Sequence, residues 1–107
     1  MRRFDSFAEF WPYYLREHSV ALNRRLHFAG TLAALLLLIA GLISHPAWLL
    51  AVPLAGYGPA WAGHFFIERN RPATFTHPWW SLRGDFYMAW LMISGRLERE
   101  RARLGLA

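Results

Sequence analysis

The sequence predicts an all-α integral membrane protein: a helical hairpin of two spans flanked by amphipathic interfacial helices, four helices in all. Three observations carry that expectation. Hydrophobic residues make up 55% of the 107-residue chain and aromatics 17%, more than a domain this small can enclose, because short chains bury a modest fraction of their surface. Residues 26 to 67 include no Asp, Glu, Lys or Arg, which leaves room for two crossings of about 20 residues each. All twelve basic residues are arginines, and every one precedes or follows that window.

The elements follow in order within one domain, 1–107. Residues 1–18 read as an interfacial helix, because Phe7, Phe10, Trp11, Tyr14 and Leu15 share one helical face opposite charged residues. Asp5 or Ser6 is placed to cap it, and Pro12 would disturb it beyond the first turn. The first span is expected over 20–43, with Ser19 as its cap and its uncharged part running from Leu26 to Ile43. Ser44, His45 and Pro46 would form the turn, and 47–67 the second span, interrupted by Pro53 and Pro59. Residues 68–82, with Pro72 and Pro78, read as a loop, and 83–104 as an amphipathic helix packed on the hairpin. The apolar run Phe86 to Ile93 is too short to span a bilayer.

Several function classes drop out. The chain has no cysteine, so disulfides and thiolate metal sites are excluded. The apolar run starts too late and is too long for a secretory signal. The arginines flank apolar segments, so the net charge of +5 reads as topology and affinity for anionic headgroups rather than nucleic acid binding. The positive-inside rule places both termini on the cytoplasmic side, in what is expected to be a bacterial inner membrane. Two spans enclose little of a lipid, which leaves room for a homodimer.

The polar residues gather at the arginine end. His18, Asn23 and His27 stand at the entry to the first span; His64 and Glu68 at the exit of the second, with Asn70 and His77 after it. Asn23, His27 and Thr31 are four residues apart, on one helix face, as are His64 and Glu68. Antiparallel spans would bring the two faces to one depth. His18 joins them only if the chain bends near Ser19, and that bend is predicted. His45 lies roughly 25 to 30 Å away at the far turn. Two histidines with a carboxylate suit non-haem iron and related ions, and an all-histidine set of His18, His27, His64 and His77 is the other option. Asn23, Glu68, Asn70 and Asp85 are candidates to orient the ligands. Read blandly, Trp61, Trp79 and Trp80 form an aromatic belt and a lone interfacial histidine is merely hydrogen-bonded. Four histidines on one leaflet argue for function, since ionisable groups at membrane depth are costly.

At EHSVALNRRLHFAG and GHFFIERNRPATFTHPWWSLRGDFYM the chain resembles the Mpo-type 2-hydroxy fatty acid dioxygenase family of small membrane proteins. The resemblance covers roughly residues 8 to 97. It implies alpha-oxidation, in which a 2-hydroxy fatty acid loses one carbon, with molecular oxygen as cosubstrate and non-haem Fe(II) as cofactor. The family's histidines fall on His18, His27, His64 and His77, and Glu68, Asn70, Arg71 and Pro72 match the motif after the second span. The fungal members are longer and carry further apolar segments, which leaves the choice of lipid open. Under this reading Arg24, Arg25 or Arg71 pairs with the substrate carboxylate, for which a planar guanidinium is suited. Two other readings stand beside it: a haem-binding electron-transfer protein with His27 and His64 as axial ligands, and a non-enzymatic lipid-binding hairpin.

Overall fold

Helix α1 (Phe7–Arg16) begins where the Ser6 hydroxyl accepts the Glu9 N–H at 3.2 Å, while the Glu9 carboxylate accepts the Asp5 N–H at 2.9 Å. This reciprocal cap satisfies donors that the first turn leaves unpaired. The computed structural model describes residues 4–106, so residues 1–3 and 107 of the expected domain lie outside it. Pro12 sits inside α1 without ending it; the carbonyl it leaves unpaired belongs to exposed Ala8. The aromatic face is turned inward. Phe10, Trp11, Tyr14 and Leu15 form the hydrophobic core with Met88, Leu91 and Leu97, each large side chain contributing about 2 kcal/mol by burial. The Trp11 indole also donates to Glu100 at 2.8 Å. This face therefore packs on protein rather than lying against headgroups.

Between α1 and α2 (Ala21–Ile43) the chain bends, with Val20 in extended conformation. The bend falls where it was expected, but Ser19 does not cap α2. Glu68, from the far end of the hairpin, accepts the Val20 N–H at 2.8 Å and the Ser19 hydroxyl at 3.1 Å. A carboxylate there also suits the positive end of the helix dipole.

Among the described residues α2 is the one helix long and apolar enough to cross a membrane, at 23 residues or about 35 Å. The expected second span is not one regular helix. It comprises a 3-10 segment (Pro46–Ala51), α3 (Val52–Ala62) and a π turn (Gly63–Glu68). Prolines explain part of this. Pro53 stands in the first turn of α3, and Pro59 withdraws the donor that would pair with the Ala55 carbonyl. That carbonyl lies against Gly30 of α2, where an added Cβ would stand 2.9 Å from it. Gly30 thus lets two backbones approach closely, in the manner of a Cα–H···O contact.

The expected loop 68–82 contains a short 3-10 turn (Ala73–Phe75) and ends early, since α4 (Pro78–Ile93) opens on Pro78. The expected helix 83–104 is two helices. Gly95 adopts φ 71° and Arg96 N–H reaches back to the Leu91 carbonyl at 2.8 Å, a left-handed stop that turns the chain into α5 (Leu97–Arg103). The described residues therefore form five α-helices rather than four. α3 packs antiparallel to α2, α4 lies beside both α1 and α2, and α5 closes over the core.

Candidate metal centre

Three irregular or terminal stretches of backbone each deliver one histidine to a single point. His18 follows the end of α1, His27 stands in the second turn of α2, and His64 lies in the π turn. All three are buried, at 1%, 4% and 2% exposure. Their rings are nearly perpendicular in every pair, at 82°, 80° and 88°, with centroids 4.3 to 4.8 Å apart. His18 Nε2 lies 3.0 Å from His27 Nε2 and 3.1 Å from His64 Nε2.

The hydrogen bonds on the opposite nitrogens assign the tautomers. His18 Nδ1 faces the Tyr14 carbonyl at 2.5 Å, His27 Nδ1 the Asn23 carbonyl at 3.0 Å, and His64 Nδ1 the Asn70 Oδ1 at 2.6 Å. Asn70 is oriented by its own amide, which donates to the Glu17 carbonyl and carboxylate at 3.0 and 2.9 Å. Each partner is an acceptor, so each Nδ1 carries the hydrogen and each Nε2 presents a lone pair. Three lone pairs then converge with no proton between them. Protonation is a poor remedy, because burial, and then the neighbouring His27 and His64, hold the His18 imidazole well below the usual histidine range. A metal cation suits the site. His18, His27 and His64 would hold it through Nε2, since their ligand atoms all lie within 4.8 Å of one another.

The other expected site residues divide by role. The Asn23 amide donates to Glu68 at 3.1 Å, while its Oδ1 has no hydrogen-bond partner and is pressed against Gly63. The Glu68 carboxylate lies outside the histidine cluster and caps α2. Arg24 donates to the carbonyls of His18 and Ser19 at 2.8 and 2.9 Å and pairs with Glu98 at 3.4 Å, bracing the bend rather than facing a ligand. Arg25 and Arg71 are exposed. His77 does not reach the triad. Its ring packs against Phe4 and Phe10, each with centroids 5.3 Å away, and lies parallel to Trp80. Its Nδ1 meets the Thr76 hydroxyl at 2.8 Å.

Asp85 stands one step back. It accepts the Tyr14 hydroxyl, and the Tyr14 ring stacks on His18 with centroids 4.1 Å apart. Burial pushes the Asp85 carboxyl up to about 7, against the opposing pull of the Tyr14 hydrogen bond. Burial, and then Asp85, raises Tyr14 well above the usual phenol range. Tyr14, Glu17 and Gly63 are the residues that sequence reasoning missed. Tyr14 precedes His18 by four positions, which was the available signal; Glu17 and Gly63 had only adjacency to a histidine.

A family model described as 2-hydroxy-palmitic acid dioxygenase Mpo1-like matches residues 4–97. The chain belongs to this family. The match spans α1 through α4 and takes in His18, His27, His64 and Asp85. Its description names a dioxygenase and a 2-hydroxy fatty acid, and the buried triad of this family member is a donor set compatible with a metal-dependent enzyme. The chain finds no match among curated proteins or among solved structures.

Proposed function

We propose that the protein is a membrane-bound, non-haem iron(II) dioxygenase that shortens 2-hydroxy fatty acids by one carbon. The observation that carries this reading is the convergence of three metal-competent Nε2 lone pairs from His18, His27 and His64. The overall chemistry balances without a further reductant: a 2-hydroxy acid and one O2 give the acid one carbon shorter, CO2 and water. Bound iron supplies the redox capacity for that four-electron oxidation.

The protein's own residues hold and shield the centre. Tyr14, Asn23 and Asn70 fix the ring orientations through Nδ1, and burial of all three imidazoles excludes bulk water. The Tyr14 hydroxyl donates to Asp85 beside the His18 ring, which puts a carboxyl able to hold a proton near the site. The haem alternative fits the geometry poorly. His18 Nε2 stands about equally close to His27 and His64, which leaves no gap for a flat macrocycle between two axial ligands.

Membrane residence is supported by how little of α2 the fold covers: 17% of its most apolar stretch is buried. Leu36, Ile39, Leu42 and Ile43 point outward. A core helix of a water-soluble protein would be mostly enclosed. In this reading the irregular 46–68 segment makes the return crossing, its freed carbonyls answered by α2, and the arginine-rich end with the triad lies on the cytoplasmic side. The test is metal analysis and turnover of 2-hydroxypalmitate by purified protein, beside a His64→Ala variant. Near-stoichiometric iron and O2-dependent formation of the C15 acid, both lost in the variant, are expected. Full turnover by the variant, or wild-type turnover without iron, refutes the reading.

A further inference from the structure

A cavity of about 260 Å³ lies between α2, α3 and α4, bounded by Thr31, Ala34 and Leu38, by Val52 and Gly56, and by Asp85. No histidine lines it, but its Thr31 end follows His27 by one turn on the same face of α2, about 6 Å along the axis. Asp85 ties it to the centre a second way, through Tyr14 to the His18 ring. From Thr31 to Leu38 the cavity follows α2 for about 10 Å, away from the histidines. Its walls are mostly aliphatic. Leu35 and Phe86, 40% and 48% exposed, also line it and leave its flank open to the surroundings.

Small residues keep the channel open. A Cβ added at Gly56 would meet the Ala34 methyl at 3.6 Å, an ordinary contact. The backbone there tolerates a side chain, and a longer one would extend into the space. Gly56 faces Ala34, which lies seven residues beyond His27, or about 10 Å along α2.

We infer that this cavity seats the alkyl tail of a long-chain 2-hydroxy acid, with the head toward Asp85 and the triad, and that Gly56 and Ala34 set the tail length accepted. The inference rests on the reaction proposed above. A tail lying here enters sideways from the bilayer past Leu35 and Phe86, and the reacting carbons stay at the buried histidines. Acids short enough to end before Gly56 need none of the distal cavity; longer acids pass it.

The experiment compares wild type with Gly56→Leu, both iron-loaded in nanodiscs, on 2-hydroxyoctanoate and 2-hydroxypalmitate. Expected is a loss of at least tenfold in kcat/KM for the C16 acid, a change under twofold for the C8 acid, and unaltered iron content. An unchanged C16-to-C8 ratio in the folded, iron-loaded variant overturns the assignment. A second measurement needs neither turnover nor the variant: photo-crosslinking of wild type by a fatty acid carrying a terminal diazirine. Labelling confined to Ala34, Leu35, Leu38, Val52 and Gly56, and competed by 2-hydroxypalmitate, supports the seat. Labelling spread over Leu36, Ile39 and Leu42 on the outer face overturns it. Confined, competed labelling in a protein that turns over neither acid would uphold the tail seat and overturn the reaction.

Discussion

One added methyl at Gly63 should damage both the fold and the metal centre. The Cβ of Gly63→Ala would stand 1.8 Å from Asn23 Oδ1, 2.8 Å from its Cγ and 3.5 Å from its Cα. Ordinary contact begins near 3.4 Å, so the structure must give by about 1.6 Å in an interior packed like a solid. If the Asn23 side chain swings away, Glu68 loses the amide donor at 3.1 Å, a hydrogen bond to a charged group worth about 1.5–3 kcal/mol. If instead the backbones part, His27 and His64 part with them, because they flank this contact on α2 and on the π turn. Overpacking of this kind costs about 1–3 kcal/mol by itself, so a loss of about 3 kcal/mol is expected, together with most of the bound iron. Gly58→Ala is the control. Nothing lies within 4 Å of its Cβ, and alanine in a helix gains about 0.5–1 kcal/mol over glycine. Denaturant unfolding in detergent and iron analysis of both variants decide the matter. A Gly63→Ala protein as stable and as iron-rich as Gly58→Ala would refute the close-contact argument.

Three further outcomes follow from the same geometry. Asn70→Ala removes the acceptor that fixes His64 and should weaken iron binding about 10- to 100-fold, as read by chelator competition; unchanged affinity would sink the tautomer assignment. Asp85→Asn should flatten the pH dependence of stability. Burial raises the Asp85 carboxyl from its ordinary 3.8 to about 7, so the folded state binds that proton more tightly than the unfolded chain does. Its contribution is complete below about pH 4 and is lost as pH rises through 7, by at most about 4 kcal/mol. Unfolding midpoints of wild type and variant should therefore diverge across pH 4 to 8, and parallel curves would count against the burial argument. His77→Phe keeps a ring against Phe4, Phe10 and Trp80, so iron content should be unchanged and stability altered by less than about 1 kcal/mol; loss of iron would make His77 a ligand.

What was legible in the sequence was what depends on regular periodicity and on charge. The charge-free window marked the apolar hairpin region, and four-residue spacing put Asn23, His27 and Thr31 on one face. There His27 meets the triad, while Thr31 opens the cavity one turn further on. The half-turn mismatch between His18 and His27 required a break in the helix, and Val20 supplies it. What was not legible depends on irregular backbone or on tertiary partners. Treating 47–67 as one α-helix put Glu68 beside His64 as a possible ligand, but the segment ends in a π turn followed by left-handed Arg69 (φ 58°), and the Glu68 carboxylate lies at the start of α2. The helix expected over 83–104 ran through Gly95, and only its positive φ reveals the stop. His77 shared the polar exit with His64, yet the helix start at Pro78 holds it among aromatic rings.

Arg24, Glu68 and Asn70 brace the backbone that carries the three histidines, and there is a physical reason for it. Bringing three histidines together requires a bent link, a π turn and a non-glycine residue in left-handed conformation, the last costing about 1–3 kcal/mol. Each irregularity has a dedicated polar restraint: Arg24 holds the carbonyls of His18 and Ser19, Glu68 caps the exposed start of α2, and Asn70 joins the π turn to Glu17. A bound cation would add to these restraints by relieving repulsion among the three lone pairs, linking binding to local folding, with about 2.7 kcal/mol gained at a hundredfold excess over Kd. The side chains that hold the centre are thereby committed to it. Under the proposed reaction, substrate would be met by groups these restraints do not use, and the cavity beside α2, with Asp85 at its edge, is where the fold leaves room for it.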